Sequence, residues 1–413
     1  MREMGDSQAT APGKADRAGL LDSAAIAEGP PSREKIPASM LAAVYRGVNE
    51  VRMEQAPVPM PGPGEVLIRV RTCGICGTDL KKIQTGSHSA PRIFGHETAG
   101  IVAAVGGGVE RFAPGDRVVA LHHVPCEDCY YCRKKTYAQC ATYKRVGCTA
   151  GFEASGGGFA EYVLAMDWIV RGGLVKIPPD IPFEQAAFLE PLNTCLKGIR
   201  SLNLAPDETV LVIGQGPIGI MLASLAGRIA GQVITSDLYA GRHAIAATFG
   251  LRMPVDASRD DVAQAARAAT EGRGADAVIL AVGGNALIAA AMQAARPGGR
   301  ILLFAQTQRG EATIDPAAVC VDEKTLLGSY SASVEVQAEA VDRIFAGYRA
   351  GFDLTRLVSH RFALEDAPAA LALAAKPGDR TMKIMIEPGK NAAPSPGGET
   401  LCGSAQMAHN GRI

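Results

Sequence analysis

The stretch TVLVIGQGPIGIMLASLAG, from Thr209 to Gly227, decides the fold of this chain. Its 19 residues carry no charge, which is close to the length of a membrane-spanning helix. Four glycines and a proline interrupt it, however, and three of the glycines follow an apolar run in the spacing G-x-G-x-x-G. An apolar strand that passes through such a turn into a helix is typical of dinucleotide binding. The stretch therefore predicts a strand, a glycine turn and a helix over 217–230.

Each glycine of the turn has a physical reason to be there. The first permits a tight turn, the second lets the backbone approach a pyrophosphate, and the third lets the helix pack closely on the sheet. The N–H groups at the start of the helix then face the phosphate anion. The candidate cofactor-binding residues of this turn are Gly214, Gly216, Pro217, Ile218 and Gly219.

Two charged residues after the turn bear on the choice of cofactor. Asp237 ends the next apolar strand, 18 residues after Gly219, where a carboxylate accepts hydrogen bonds from the ribose hydroxyls of NAD. The same carboxylate repels the 2′-phosphate of NADP, and Leu238 offers no base to bind that phosphate. Arg242 weakens this preference, because it could stack on adenine or meet a phosphate. We expect NAD, and the alternative interpretation of Asp237 is a turn residue at a strand end.

On either side of this stretch, the apolar residues follow two different patterns. From about 208 to 330, apolar strands alternate with helices, which indicates a doubly wound parallel sheet. From about 40 to 185, short alternating runs separated by Gly and Pro turns indicate a β-rich part. An amphipathic helix over 335–351 and a final strand in TMKIMIEP follow. The predicted fold class is α/β, with a β-rich domain and a Rossmann domain.

The run VPCEDCYYCRKKTYAQC holds four of the 10 cysteines, at spacings of two, two and seven residues. Disulfides are typical of small, cysteine-dense secreted chains, whereas this chain is long, cysteine-poor and without a signal segment at its start. In the cysteine run of a bacterial ferredoxin, three residues separate the last two cysteines, and the last one precedes proline. Here seven residues separate Cys132 from Cys140, and Cys140 precedes Ala141. A structural zinc fits best, since it can fix a loop that lacks an apolar core. Its predicted ligands are Cys126, Cys129, Cys132 and Cys140.

Four further residues of zinc-ligand type stand in short motifs. Cys76 lies in GICGTD, and His96 and Glu97 lie in GHE. Glu190 lies in EP, just before the nucleotide-binding part. A catalytic zinc needs about three protein ligands and one exchangeable position. Taken singly, these residues have other interpretations: an inert buried thiol, a turn histidine, a surface charge and a carboxylate at a helix N-terminus.

Charge and composition restrict the partners. Lys plus Arg equals Asp plus Glu at 42 each, so no global field attracts nucleic acid or an anionic membrane. We expect a small neutral-to-polar substrate and a cytoplasmic location, where reduced thiols suit metal binding. Residues 1–37 and 389–413 are poor in aromatic and β-branched residues, which predicts disordered tails.

Together these segments resemble the zinc-dependent medium-chain alcohol and polyol dehydrogenases, over nearly all of the chain from about 40 to 388. The resemblance rests on GICGTD, GHE, GDRV before the four cysteines, EP and GQGPIG, in that order. It implies a GroES-like catalytic domain formed from both chain ends, with a Rossmann domain inserted between them. The implied catalytic domain covers 38–190, including the zinc lobe, and 331–388; the NAD-binding domain covers 191–330.

The resemblance also implies roles for single residues. Cys76 and His96 match ligands of the catalytic zinc, and Glu97 matches a residue that binds this zinc in some members and exchanges in others. Glu190 stands where alcohol dehydrogenases have a second cysteine and polyol dehydrogenases a glutamate, which favours the sorbitol, iditol and threonine dehydrogenase branch. Cys195 is a weaker substitute ligand. Whether Glu97 or Glu190 binds the zinc directly stays open.

The proton relay is implied only in part. Thr78 matches the hydroxyl that first receives the substrate proton. Many relatives continue the relay with a histidine five residues after the cysteine ligand, but this chain has Lys81 there. Lys81 is either a residue that recognises an anionic group or a solvated surface lysine. His122 and His123 are either cleft residues or edge-strand side chains.

The implied function is the reversible oxidation of a secondary, polyol-like alcohol, with hydride passing to NAD and with two zinc ions per chain, one catalytic and one structural. A homodimer or homotetramer is implied by the relatives. The alternatives are oxidation of an amino alcohol as in threonine dehydrogenases, nucleotide binding without dehydrogenase activity, and an iron–sulfur electron carrier built on residues 124–140.

Overall fold

The computed structural model describes residues 35–305, 310–376 and 378–389. The predicted disordered tails, 1–37 and 389–413, lie outside these residues apart from 35–37 and 389. The first part of the described chain is rich in short strands. Its strands are β1 (Ser39–Gly47), β2 (Glu50–Pro57), β3 (Val66–Gly74), β4 (Arg92–Ile93), β5 (Glu97–Val105), β6 (Arg117–Ala120), β7 (Cys148–Thr149), β8 (Tyr162–Ala165) and β9 (Leu174–Lys176). Its helices are α1 (Gly77–Thr85), α2 (Tyr130–Arg133), α3 (Ala141–Lys144), α4 (Asp167–Gly172), α5 (Phe183–Ala187) and α6 (Leu189–Leu202), with a 3-10 turn at Tyr137–Gln139.

The middle part alternates strands and helices. It contains β10 (Thr209–Ile213), α7 (Pro217–Ala226), β11 (Gln232–Asp237), α8 (Ala240–Thr248), β12 (Met253–Asp256), α9 (Val262–Ala268), β13 (Ala275–Leu280), α10 (Asn285–Ala294), β14 (Ala295–Leu303), α11 (Pro316–Cys320) and β15 (Thr325–Gly328). The last part contains α12 (Gln337–Arg349), β16 (Val358–Ala363), α13 (Ala367–Ala374) and β17 (Lys383–Glu387). Short 3-10 turns lie at Val334–Val336, Leu354–Leu357 and Leu364–Asp366.

The middle strands form a parallel sheet in the order β12-β11-β10-β13-β14-β15. The order reverses between β10 and β13, and ligands of doubly wound sheets bind at such a switch point. All five residues of β10 are buried, as expected for a strand covered by helices on both faces. The uncharged stretch that opens the sequence analysis is thus β10, the glycine turn and α7. Among the described residues, no helix is both long and apolar enough to cross a membrane.

The strands from both ends of the chain share one sheet. Its path is β16-β17-β3-β5-β6-β9, with β8 paired to β3 and to β7. The last strand pairs antiparallel with β3, where Met385 faces Gly74. A smaller sheet, β2-β1-β4, covers this part. The predicted fold class, a GroES-like β-rich part with a Rossmann-like parallel sheet, is confirmed. The domain boundary predicted at 190 falls inside α6, and the domain boundaries stay predictions.

Several elements differ from the predicted ones. The helix predicted over 217–230 ends at Ala226, because Gly227 caps it and Gly231 follows. The helix predicted over 335–351 begins at Gln337, after a 3-10 turn. The sequence did not predict β12, α9, α11 and β15 as separate elements. Each of these is short, from four to seven residues, which leaves little periodicity to detect.

Candidate active site

Cys76 occupies the N-cap of α1. Its Sγ accepts a hydrogen bond from the N–H of Thr78 at 3.5 Å, and its own N–H donates to Oδ2 of Asp79 at 3.2 Å. This reciprocal pair is a capping box, which satisfies two backbone donors of the helix start. The start of α1 therefore fixes the position of the Cys76 sulfur.

His96 lies directly before β5 and is held by Asp79. Its Nδ1 is 3.0 Å from Oδ1 of Asp79, and both side chains are buried. Burial raises the pKa of Asp79, but His96, together with Lys82 and the N–H of Cys76, outweighs this and keeps the pKa below its usual value. Because an ionised carboxylate only accepts, Nδ1 of His96 carries the proton and Nε2 is left for a metal. Asp79 is thus a functional residue that the sequence interpretation missed; its position three residues after a capping cysteine was the available signal.

The structure brings three of the four candidate catalytic ligands together. The ligand atoms of Cys76, His96 and Glu97 all lie within 4.8 Å of one another. A thiolate, an imidazole and a carboxylate at this spacing form a donor set that suits zinc. Thr78 lies in the first turn of α1, two residues from the sulfur, and is partly exposed.

A buried ion pair holds Glu97. Nζ of Lys383 donates to Oε1 and Oε2 of Glu97 at 2.8 and 2.7 Å, and to the carbonyl oxygen of Ile75 at 3.1 Å. Burial lowers the pKa of Lys383, but the carboxylate of Glu97 outweighs it and raises this pKa. Lys383 lies on β17, so a strand from the end of the chain reaches the site. The sequence interpretation missed it, although a single lysine in the otherwise apolar run KIMI was a signal.

Glu190 stands outside this group of three. Among the described residues, it does not belong to the set whose ligand atoms lie within 4.8 Å of one another. Its Oε1 accepts from Oγ1 of Thr194 at 3.4 Å, and burial raises the pKa of its carboxyl group against the influence of His96. Cys195 points elsewhere, since its Sγ lies 3.9 Å from the carbonyl oxygen of Ile218. The group of three described above therefore contains Glu97 and neither Glu190 nor Cys195.

The four cysteines of the lobe converge on one point. Their Sγ atoms all lie within 4.8 Å of one another, with measured separations of 3.6, 3.6 and 3.9 Å. Four sulfurs at 2.3 Å from a tetrahedral ion would be roughly 3.8 Å apart, whereas a disulfide needs about 2.05 Å. All four are free thiols. Sulfurs this close leave room for one ion but not for a cube of four irons and four sulfides.

The glycine turn has the shape expected for a phosphate cradle. Gly214 adopts a φ of 98°, which favours glycine, and a Cβ on Gly219 would lie 1.8 Å from the Gly214 carbonyl oxygen. A Cβ on Gly216 would meet nothing within 4 Å. Helix α7 begins at Pro217, immediately after this open space. The first and third glycines thus serve the fold, and the open space at the second is available to a ligand.

Asp237 ends β11 beside this turn. Its carboxylate accepts from the N–H of Gln215 at 2.6 Å and from the N–H of Tyr239 at 3.0 Å. Arg242 lies 3.3 Å from the same carboxylate and 4.8 Å from the Tyr239 ring centroid. The acid is therefore fixed at the strand end, and its charge is partly balanced by the guanidinium.

His122 lies beside the candidate metal ligand His96, and His123 lies beside His122. The ring centroids of His96 and His122 are 4.7 Å apart, and those of His122 and His123 are 4.1 Å apart. The ring of Tyr143 stacks on His123 at 4.9 Å. The row of rings links the candidate metal ligand His96 to the four-cysteine lobe.

Comparison with known proteins shows which family this chain resembles. Residues 62–179 match the alcohol dehydrogenase GroES-like domain, and residues 217–346 match the zinc-binding dehydrogenase model. The sorbitol dehydrogenase of Bacillus subtilis (strain 168) is 27% identical over 362 residues, 86% of this chain and 99% of the relative. An L-threonine 3-dehydrogenase of Anaeromyxobacter sp. (strain Fw109-5) is 32% identical over 320 residues, 76% of this chain and 89% of the relative. A solved protein of Sinorhizobium meliloti 1021, assigned as a zinc-binding dehydrogenase and bound to NADP, superposes with a TM-score of 0.75 at 29% identity, covering 85% of this chain and all of that one.

Proposed function

This chain belongs to the zinc-binding dehydrogenase family with an alcohol dehydrogenase GroES-like domain, and from that premise we propose that it oxidises a secondary, polyol-like alcohol and passes hydride to NAD. The observation that carries the proposal is the convergence of Cys76, His96 and Glu97 within 4.8 Å. The similarity to a sorbitol dehydrogenase and to an L-threonine 3-dehydrogenase supports a small hydroxylated substrate.

The donor atoms fit a zinc ion at this place. Cys76 and His96 would hold it, with Glu97 as the third ligand and Glu190 as the alternative. When bound, zinc supplies Lewis acidity that lowers the pKa of the alcohol hydroxyl. The chain's own residues do the rest: Asp79 keeps the proton of His96 on Nδ1, and Oγ1 of Thr78 receives the proton that the alcohol releases.

The sulfur separations of 3.6 to 3.9 Å support a second zinc in the lobe, which makes two per chain. Cys126, Cys129, Cys132 and Cys140 would hold it with no exchangeable position. Such a closed site stabilises a loop and does no chemistry.

The cofactor proposed is NAD. The Asp237 carboxylate stands where a ribose 2′-phosphate would meet its charge, which disfavours NADP. Two observations oppose this: Arg242 lies 3.3 Å from that carboxylate, and the S. meliloti relative binds NADP. Initial rates with both cofactors at equal concentration decide the point, and higher kcat/KM with NADP would reject the NAD assignment.

The test of the whole proposal is turnover. Purified chain, loaded with zinc, is assayed by nicotinamide absorbance against polyols, threonine and simple secondary alcohols, and its metal content is measured. We expect oxidation of at least one polyol and about two zinc ions per chain.

A ligand variant separates chemistry from cofactor binding. Cys76→Ser is expected to lose turnover while NADH still binds, as measured by fluorescence. Cys320→Ser is the matched control, because Cys320 is an exposed free thiol in another part of the chain. Full turnover by Cys76→Ser would overturn the proposal, and so would nucleotide binding by the native chain without oxidation of any alcohol.

A further inference from the structure

Lys82 is a half-buried lysine close to the candidate active site. It follows Asp79 by three residues on α1, so the two side chains share one face of the helix. Its Nζ lies 5.6 Å from the centre of the Phe94 ring. Across residues 35–305, 310–376 and 378–389, no carboxylate pairs with this ammonium group within 4.0 Å. Lys82 therefore holds a positive charge whose hydrogen-bond donors are unused.

Asp79 lies on the same face of α1 and its charge attracts Lys82, but these two described side chains form no hydrogen bond or ion pair with each other. Oδ1 of Asp79 accepts from Nδ1 of His96 at 3.0 Å and from the N–H of Gly95 at 3.4 Å. Oδ2 accepts from the N–H of Cys76 at 3.2 Å. Asp79 therefore serves mainly the metal ligands and their backbone, and Lys82 can bind a further anion.

Phe94 places this charge beside the site. It is buried and stands two residues before His96. The ring of His88 also meets it, edge-on, with 5.8 Å between centroids. Solvated lysines normally extend the ammonium group into water along an apolar stem. Here the ammonium group lies over the ring of Phe94 instead, and its charge acts on His122 and His123.

The row of histidines supplies further unpaired polar atoms. Nδ1 of His122 and Nδ1 of His123 are buried and have no hydrogen-bond partner among the described residues. Buried polar atoms are nearly always paired in folded proteins, so this wall of the site lacks a polar ligand.

We propose that the substrate carries an anionic group, a phosphate or a carboxylate, and that Lys82 binds it while the reacting hydroxyl lies at Cys76 and His96. His122 and His123 line the path between the two ends of the substrate. This inference rests on the proposed function and narrows its substrate class to anionic polyols. In the sequence interpretation, Lys81 rather than Lys82 is the candidate for recognising an anion. Lys81 lies one turn after Thr78 and therefore faces another side of α1 than Lys82.

The experiment compares matched substrates with the full-length, zinc-loaded chain at saturating cofactor. Each hexitol and pentitol is paired with its monophosphate and with the corresponding aldonic acid, and kcat/KM is measured from nicotinamide absorbance. We expect a charged member to exceed its neutral partner by about tenfold or more, because a charge-assisted hydrogen bond is among the strong ones.

Variants of one lysine assign the effect. Lys82→Gln is expected to lower kcat/KM for the charged substrate by about tenfold or more, mainly through KM, and to change the neutral one by less than about twofold. Lys82→Arg keeps the charge and is expected to recover part of the loss. Lys134→Gln, an exposed lysine of the four-cysteine lobe, is the control and should change neither substrate.

The outcomes separate this inference from the proposed function. Equal losses for charged and neutral substrates in Lys82→Gln would mean a structural role and would overturn it. A preference of the native chain for neutral polyols would also overturn it, while the proposed function would stand. If no alcohol is oxidised, the proposed function fails. The anion site is then tested by calorimetric titration of sorbitol 6-phosphate into the NADH-bound chain. Binding that Lys82→Gln abolishes supports the anion site, and absence of binding to the native chain overturns it.

Discussion

Asp79 connects the start of α1 to the ring of His96. One carboxylate accepts from the backbone of Cys76 and from Nδ1 of His96, so it fixes the direction of a thiol and of an imidazole at once. Partners of this kind set the tautomer and the orientation of a metal-binding histidine. The positions of both ligands therefore depend on a residue that touches no substrate.

Asp79→Asn keeps the size of the side chain and removes its charge. We expect zinc affinity or kcat/KM to fall about 10- to 100-fold, because the imidazole loses the carboxylate that orients it. Zinc affinity is measured by competition with a chelator, and kcat/KM with a polyol. Asp207→Asn, at an exposed position, is the control. Unchanged affinity and turnover in a folded Asp79→Asn chain would remove Asp79 from the machinery.

Lys383 and Glu97 form a buried ion pair, and replacing one partner alone should lower the free energy of unfolding. In the zinc-free chain, Lys383→Met would leave the Glu97 carboxylate buried and unpaired, which lowers the free energy of unfolding by about 3–5 kcal/mol. Adding Glu97→Gln should recover part of this loss, because no buried charge remains. Urea unfolding measures both.

A buried lysine elsewhere provides the comparison for that pair. Lys324 is also buried, but its partner Asp322 is exposed. Lys324→Met should therefore cost less, since water can solvate the acid that remains. Equal losses for the two lysine variants would contradict the account of Glu97 as a dehydrated charge.

At the scale of elements, local features were predictable and distant pairings were not. The strand, glycine turn and helix of 209–226 could be read from the sequence, because adjacent residues determine a turn and a helix start. The contact of Lys383 with Glu97 joins residues 286 positions apart and depends on β17 pairing with β3. No local pattern in β17 specifies that neighbour, so the sequence identified the metal-ligand residue types but not the pair that holds Glu97.

The glycine turn offers two variants that separate folding from binding. Gly216→Ala places its Cβ in open space, so we expect unchanged thermal stability and weaker NADH binding, by about tenfold or more if the pyrophosphate passes there. Gly219→Ala places its Cβ 1.8 Å from a backbone oxygen, so we expect lower thermal stability. Calorimetry of NADH binding and thermal unfolding measure the two effects. Native NADH affinity in Gly216→Ala would contradict the cradle.

At the scale of the whole molecule, the four-cysteine lobe is tied to the segment that leads from β15 to α12. The hydroxyl of Tyr143 lies 2.9 Å from Oγ of Ser331 and donates to the carbonyl oxygen of Ala332 at 2.7 Å. Asn193 on α6 binds both the N–H and the carbonyl oxygen of Ser333, at 2.8 and 3.1 Å. The lobe thus helps to position the segment in which the chain returns from the parallel sheet. The homodimer or homotetramer stays a prediction.

If the lobe stabilises the segment between β15 and α12 through Tyr143, the stability losses caused by variants of the lobe and of Tyr143 should be coupled. Cys129→Ala removes one sulfur of the lobe and is expected to lower the thermal midpoint before it changes hydride transfer. Tyr143→Phe removes two hydrogen bonds and leaves a buried carbonyl unpaired, which costs about 1–3 kcal/mol. The double variant should lose less than the sum of the single losses, because a lobe without its metal no longer holds Tyr143 in place. Thermal unfolding of the four chains measures this coupling, and strictly additive losses would show that the lobe and the returning segment are stabilised independently.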